Sequence, residues 1–514
     1  MTMRASGCLL VTLVSLALAG PAPAQVDLTT FVQLGDSLTA GYMDGCWGEF
    51  GQRRDFGAVI AARVGVAFEQ PLLKDPGIGS GLGPGRGCLV LTSLAPTFSN
   101  RESTLVPLNA ALPRAYNNLA VPGYTTADVV DTRAAAQNGN PLTDVVLRGR
   151  GTALEQAVSL NPTFVTVWIG SNDFLRAATT GTAIDQVSGE PFFTMTDLDL
   201  VTRKMVTIVD TLKARQGGRG KGIFMTLPDP TLTPFVSTIS PILTTLPNGT
   251  AVTVISARHQ KVDGIPTGVT GGPAGVPSGS KLTLFAGPLL AQGFGIPCGI
   301  LAATDPRRAN CDKPLPDDVD LVTGQPGVVL YPDEVRAIQD RIEAVNELIF
   351  AIAPTAGFKV FDTNAALQDV KTNGRDIAGI RFNADFLVGG VYSLDGIHPS
   401  ALGHALLADE LIQFMNKPVV DNPRPDEDAG GFGTHFDRID FFAVFSNLSR
   451  GTSLVGLGPL GEQAILQAAT GIFTPDLWPL MRNGFALSGR LELPVDGSDR
   501  PERGVRKPGA LGGF

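Results

Sequence analysis

Charge is scarce in this chain of 514 residues. Asp, Glu, Lys and Arg together make up 17%, and the 49 acidic residues outnumber the 40 basic ones. A surface that tracks phosphates needs clustered cations, so nucleic acid is excluded as the main partner. No C-x-x-C occurs, which argues against a zinc ribbon or a redox pair. The nucleophile elbow G-x-S-x-G, the phosphate loop G-x-x-x-x-G-K-[ST] and the zinc motif H-E-x-x-H are all missing. The glycine run at 77–87 fails the dinucleotide spacing because Pro84 stands three residues after Gly81. No cofactor or metal is therefore expected. Beyond the first 24 residues there is no apolar run of the roughly 18 residues that a spanning helix needs, so no transmembrane segment is expected in the mature chain.

What is present suits a folded, exported protein. The chain is 43% hydrophobic, enough to bury a sizeable core. Its 61 glycines and 38 prolines form about a fifth of the residues, too many for a helix bundle. Arg4 gives the positive start, Cys8–Gly20 is apolar, and Pro21-Ala22-Pro23-Ala24 supplies small residues for cleavage. These predict a secretory signal over 1–24, cut after Ala24, and a secreted or periplasmic product. Four cysteines then remain: Cys46, Cys88, Cys298 and Cys311. An even number in an exported chain favours disulfides. Three pairings are possible, and sequence proximity favours Cys46–Cys88 and Cys298–Cys311.

Strand-like and helix-like segments alternate. Thr29–Leu34, Phe164–Ile169, Gly222–Leu227 and Phe358–Asp362 are short apolar runs of the kind that build a buried parallel sheet. Helices are expected over about 144–159, about 196–215, Pro332–Ile352 and Ser400–Phe414. This alternation predicts an α/β fold with helices flanking a parallel sheet. Two stretches break the rhythm: an irregular excursion at 68–115, and a Pro-, Gly- and Thr-rich insertion at 228–330. The composition changes again after Lys417, giving a domain at 25–418 and an extension at 419–514 that is expected to be partly disordered.

Four short blocks carry the candidate chemistry. Gly35-Asp36-Ser37-Leu38 follows the first strand, which puts Ser37 at a carboxyl strand end, where open α/β sheets bind ligands. A G-D-S turn is equally what a strand-to-helix cap looks like. In the block 117–125, Gly123 can present a bare N–H, or can serve as an ordinary turn glycine. In Gly170-Ser171-Asn172-Asp173 the Asn172 amide suits an oxyanion, or Asn172 and Asp173 cap a helix. In Asp395-Gly396-Ile397-His398-Pro399 one loop supplies a base, His398, and a carboxylate to orient it, Asp395. His404 is expected to be structural, and His259 and His435 solvated or structural.

Together and in this order the blocks resemble those of the SGNH (GDSL) hydrolase family. The resemblance implies a flavodoxin-like three-layer α/β/α sandwich and a serine esterase or lipase, with large loop insertions in this case. It implies that Ser37 is the nucleophile, His398 the base and Asp395 its orienter, with Ser37 N–H, Gly123 N–H and the Asn172 side chain as oxyanion donors. The partner would be an ester substrate, lipid or acylated small molecule. A polysaccharide deacetylase using the same residues, and a binding module that has lost turnover, are the alternatives. The departure is length. Ser37 and His398 lie farther apart than a compact member needs, and the excess is the two insertions. Because the larger one follows strand 222–227, it is expected on the catalytic edge of the sheet, where Leu243–Leu246 and Leu282–Leu290 either wall an acyl pocket or only pack the insertion down.

Overall fold

The structure, a computed structural model, describes residues 26–74, 77–79, 89–91, 96–98, 105–188, 192–258, 275–320, 325–377, 380–387, 389–419, 430–441 and 443–444. The expected signal and Cys88 lie outside them, as do His259 and everything after 444.

Four apolar segments form the central sheet: β1 (Phe31–Gly35), β2 (Phe164–Trp168), β3 (Gly222–Met225) and β4 (Lys359–Phe361). They pair in parallel in the order β1-β2-β3-β4, with Phe31 opposite Phe164, Val165 opposite Gly222 and Lys359 opposite Ile223. Segment 117–121 runs parallel along the other side of β1. Gln33 N donates to Asn117 O at 2.9 Å, Leu119 N to Gln33 O at 3.0 Å and Val121 N to Gly35 O at 3.2 Å.

The strands are mainly apolar because both faces are covered, with Gln33 and Thr166 the buried polar exceptions in β1 and β2. Val32, Leu34, Val165, Val167 and Phe224 face one core; Phe31, Phe164, Trp168, Ile223 and Met225 face the other. Helices α4 (Ala153–Ser159), α6 (Leu198–Arg215) and α7 (Pro332–Thr355) close the first core, and α2 (Phe56–Val64) and α9 (Ala401–Asn416) the second. In α7, Val335, Ile338, Ile342, Val345 and Ile349 recur at helical spacing and are buried, each worth roughly 1.5–3 kcal/mol over exposure. Pro332 and the acidic Asp333 and Glu334 start that helix, and Glu334 accepts from Tyr331 N at 2.9 Å. Asp55 caps α2 through Gly57 N and Ala58 N, and Ser400 caps α9 through Gly403 N.

The single helix expected over 144–159 is two. Leu142–Leu147 ends where Arg148 (φ +50°), Gly149 (+69°) and Gly151 (+108°) turn left-handed, and Thr152 starts α4 with a capping box to Glu155. The insertion at 228–330 has its own apolar centre, formed by residues such as Ile239, Val254, Leu282, Leu290, Leu315 and Val329. Short antiparallel pairs, Ile242–Thr245 with Ala251–Thr253 and Lys281–Leu282 with Val329–Leu330, frame it. The Cys298–Cys311 disulfide staples it, with the Cα atoms 5.0 Å apart. Cys46 is also disulfide-bonded. Past the expected boundary near 418, Phe432, Phe436 and Ile439 return to the second core, and Asp409 of α9 accepts from Arg438 Nε at 3.1 Å. Among the described residues no helix is long and apolar enough to cross a membrane.

Candidate active site

The site assembles where β1, β2 and segment 117–121 end. Gly35 closes β1 where only glycine fits: a Cβ there would stand 2.2 Å from Thr39 Oγ1 and 2.6 Å from Trp168 O. Asp36 accepts from Leu38 N at 2.9 Å and starts the single turn α1 (Ser37–Ala40), with Ser37 as its first residue. The chain thus turns sharply and leaves the Ser37 hydroxyl at the carboxyl edge of the sheet.

His398 Nε2 lies 2.9 Å from Ser37 Oγ, and His398 Nδ1 lies 2.9 Å from Asp395 Oδ2. A proton on Nδ1, facing the carboxylate, leaves Nε2 as the acceptor for the serine hydroxyl. Asp395 Oδ1 accepts from Ile397 N and His398 N, both at 2.9 Å, and Oδ2 from Gly45 N at 3.0 Å. Burial alone would raise this carboxyl. The His398 charge and the four hydrogen bonds outweigh it and hold Asp395 down to about 2. Asp395 is therefore an anion at any pH near neutral.

The expected oxyanion donors Gly123 and Asn172 leave the same edge of the sheet. Asn172 begins α5 (Asn172–Thr180) just past β2, and its Nδ2 donates to Tyr124 O at 2.9 Å. That bond uses one amide hydrogen and leaves the other for a ligand. Gly123 is exposed with φ +87°, a left-handed turn that suits glycine. Asp173 locks the two blocks together, its Oδ2 accepting from Thr126 N and Thr126 Oγ1 at 2.8 Å. No hydrogen bond among the described residues joins Gly123 or Asn172 to Ser37 directly. Strand pairing and the Asn172–Tyr124 bond hold them on the same edge.

One element escapes the sequence reading. Residues 42–45, just past α1, hold the histidine loop. Asp44 N donates to Ser393 Oγ at 3.0 Å, Leu394 N donates to Asp44 Oδ1 at 2.9 Å, and Gly45 supplies the bond to Asp395. Asp44 (φ +55°) and Gly45 (+64°) are both left-handed, and a D-G pair is the available signal for such a turn. The Tyr42 ring lies against the imidazole, centroids 4.6 Å apart.

Two further acids are buried beneath the site. Burial pushes Asp36 up to about 7 and Asp173 up to about 6. His404 is wholly buried, stacked on Phe56 at 6.4 Å, and burial drives it down to about 3, so it is a neutral structural ring. His435 is exposed on the far segment. Cys298, Cys311 and Asp312 bring ligating atoms within 4.8 Å of one another, but two of those atoms are the disulfide sulfurs. Comparison of the chain with protein-family models, with curated proteins and with solved structures finds no match in any of the three.

Proposed function

We propose that this protein is a serine hydrolase of carboxylic esters, of the SGNH (GDSL) type. The observation that carries the reading is the unbroken chain from Ser37 Oγ through His398 to Asp395, with 2.9 Å at each link. The sheet supports it. Counting segment 117–121 as the second strand in sequence, the spatial order is 2-1-3-4-5, that of flavodoxin-like sheets, and Ser37 and Asn172 leave the two strands that flank its switch point.

In this reading His398 Nε2 takes the Ser37 proton as Oγ bonds to the ester carbonyl carbon. The oxyanion formed rests on Ser37 N–H, Gly123 N–H and Asn172 Nδ2. His398 then gives the proton to the departing alcohol, leaving an acyl-serine. Water, deprotonated by the same imidazole, attacks the acyl carbon, and His398 returns the proton to Ser37 as the acid leaves. The leader expected over 1–24 and the Cys298–Cys311 bridge suit an exported enzyme in an oxidising compartment.

A 4-nitrophenyl ester assay tests the proposal. Ser37→Ala should lower turnover on the order of 10⁶-fold while the melting temperature holds. An inactive parent chain, or a variant that keeps more than a few per cent of turnover, removes Ser37 from the role. Asn172→Ala should cost on the order of 10²–10³ in kcat with less change in KM, because the donor acts mainly on the transition state.

A further inference from the structure

The insertion at 228–330 reaches the catalytic loop itself. Its short helix Pro234–Ser237 begins with Phe235 N donating to Gly396 O at 2.9 Å, two residues from His398. The same helix packs against α5, which begins at Asn172. The insertion therefore touches both the loop that carries His398 and the helix that begins at Asn172. A second segment of the insertion, Leu284–Phe285, is laid on this helix. Leu284 N donates to Phe235 O at 2.8 Å, and the Phe285 ring stands edge-on to Phe235 with centroids 5.2 Å apart. Gly396 has φ +71°, and a Cβ there would sit 3.1 Å from Leu284 Cδ1 and from Phe235 N, so the loop and the insertion are fitted face to face.

The side chains at this seam are apolar and not fully covered. Phe235 and Val236 are buried, whereas Leu284, Phe285 and Ile397 keep part of their surface open. Leu284 and Phe285 pack against the core of the sheet and against the insertion's own core, so their positions are fixed from two sides. An apolar wall held rigidly beside a nucleophile selects for hydrocarbon. The other patch, around Leu243, packs into the insertion's core.

We propose that Leu284 and Phe285, continued by Ile397, form the wall against which the hydrocarbon chain of the ester lies, so that the substrates are esters of aliphatic chains longer than acetyl. The inference rests on the esterase reading. Each methylene laid on the wall should raise kcat/KM by up to about fourfold until the wall ends.

The test uses the full chain in two arms: 4-nitrophenyl esters from acetate to octanoate, and acetate esters of alcohols of increasing length. The arm in which kcat/KM climbs identifies the half of the ester that carries the chain. Leu284→Ser and Phe285→Ser should lower the ratio of long-chain to short-chain kcat/KM about tenfold. Leu284→Phe, which keeps the packing apolar, should shift the optimum to shorter chains, a change that a purely structural role would not produce. If the parent hydrolyses acetyl esters but neither arm rises with length, the wall is overturned and the esterase reading stands. The wall also falls if folded variants keep the parental ratio. If no ester is turned over at all, both fall.

Discussion

Asp36 sits beside Ser37 and carries a liability that can be measured. Its carboxyl is raised by burial from the ordinary range near 3.8 to about 7. Between about pH 4 and 7 the folded chain therefore holds a proton that the unfolded chain has lost, and stability from this group declines as pH rises through that window. Asp36→Asn keeps an oxygen for Leu38 N–H and removes the charge. Its melting temperature relative to the parent should rise between pH 5 and pH 8, and a difference that stays flat with pH would show that Asp36 is not protonated in the fold. Asp395 has the opposite sign. Held at about 2, it adds stability above the ordinary carboxylate range, and that stability is lost as pH falls through 2. Loss of activity on mild acidification should therefore not come from this carboxylate, and Asp395→Asn should slow turnover on the order of 10³–10⁴-fold, less completely than loss of the serine.

At the scale of elements, the 42–45 turn determines whether the histidine loop is held. Asp44→Ala removes the acceptor of a buried Leu394 N–H and puts alanine at φ +55°, where Asp and Asn are better tolerated. The expected result is roughly a tenfold drop in kcat with KM little changed, and recovery in Asp44→Asn, which keeps both the oxygen and the backbone preference. Equal losses in the two variants would mean that the turn does not position His398. The sequence hid this element because its contacts span some 350 residues, while composition and periodicity are local. The core strands were legible for the reverse reason. FVQLG and FVTVW send apolar residues to both faces, as the strands of a covered parallel sheet do. Ser37, Asn172, Asp395 and His398 were legible because each sits within a few residues of a strand end or a helix start. The split of the helix expected over 144–159 depended on reading Gly149 and Gly151 as left-handed stops rather than as tolerated helix glycines.

For the whole molecule, the insertion is a packed subdomain, and its high Gly and Pro content concealed a core made of widely spaced residues such as Ile239, Leu282 and Val329. Its disulfide closes a short loop, Cys298 to Cys311, 13 residues apart. In the chain-entropy account a bridge of that size is worth about 3 kcal/mol. The double variant Cys298→Ser/Cys311→Ser should melt several degrees lower than the parent, and an unchanged melting temperature would show that the insertion stands without its staple. The account as a whole turns on one atom, Ser37 Oγ. Treating the full chain with a fluorophosphonate and mapping the adduct by peptide mass spectrometry tests it most directly. The label should sit on Ser37 in a single copy, and it should be absent from Ser37→Ala and strongly reduced in His398→Ala. No label, or a label on another serine such as Ser171 or Ser393, would contradict the account.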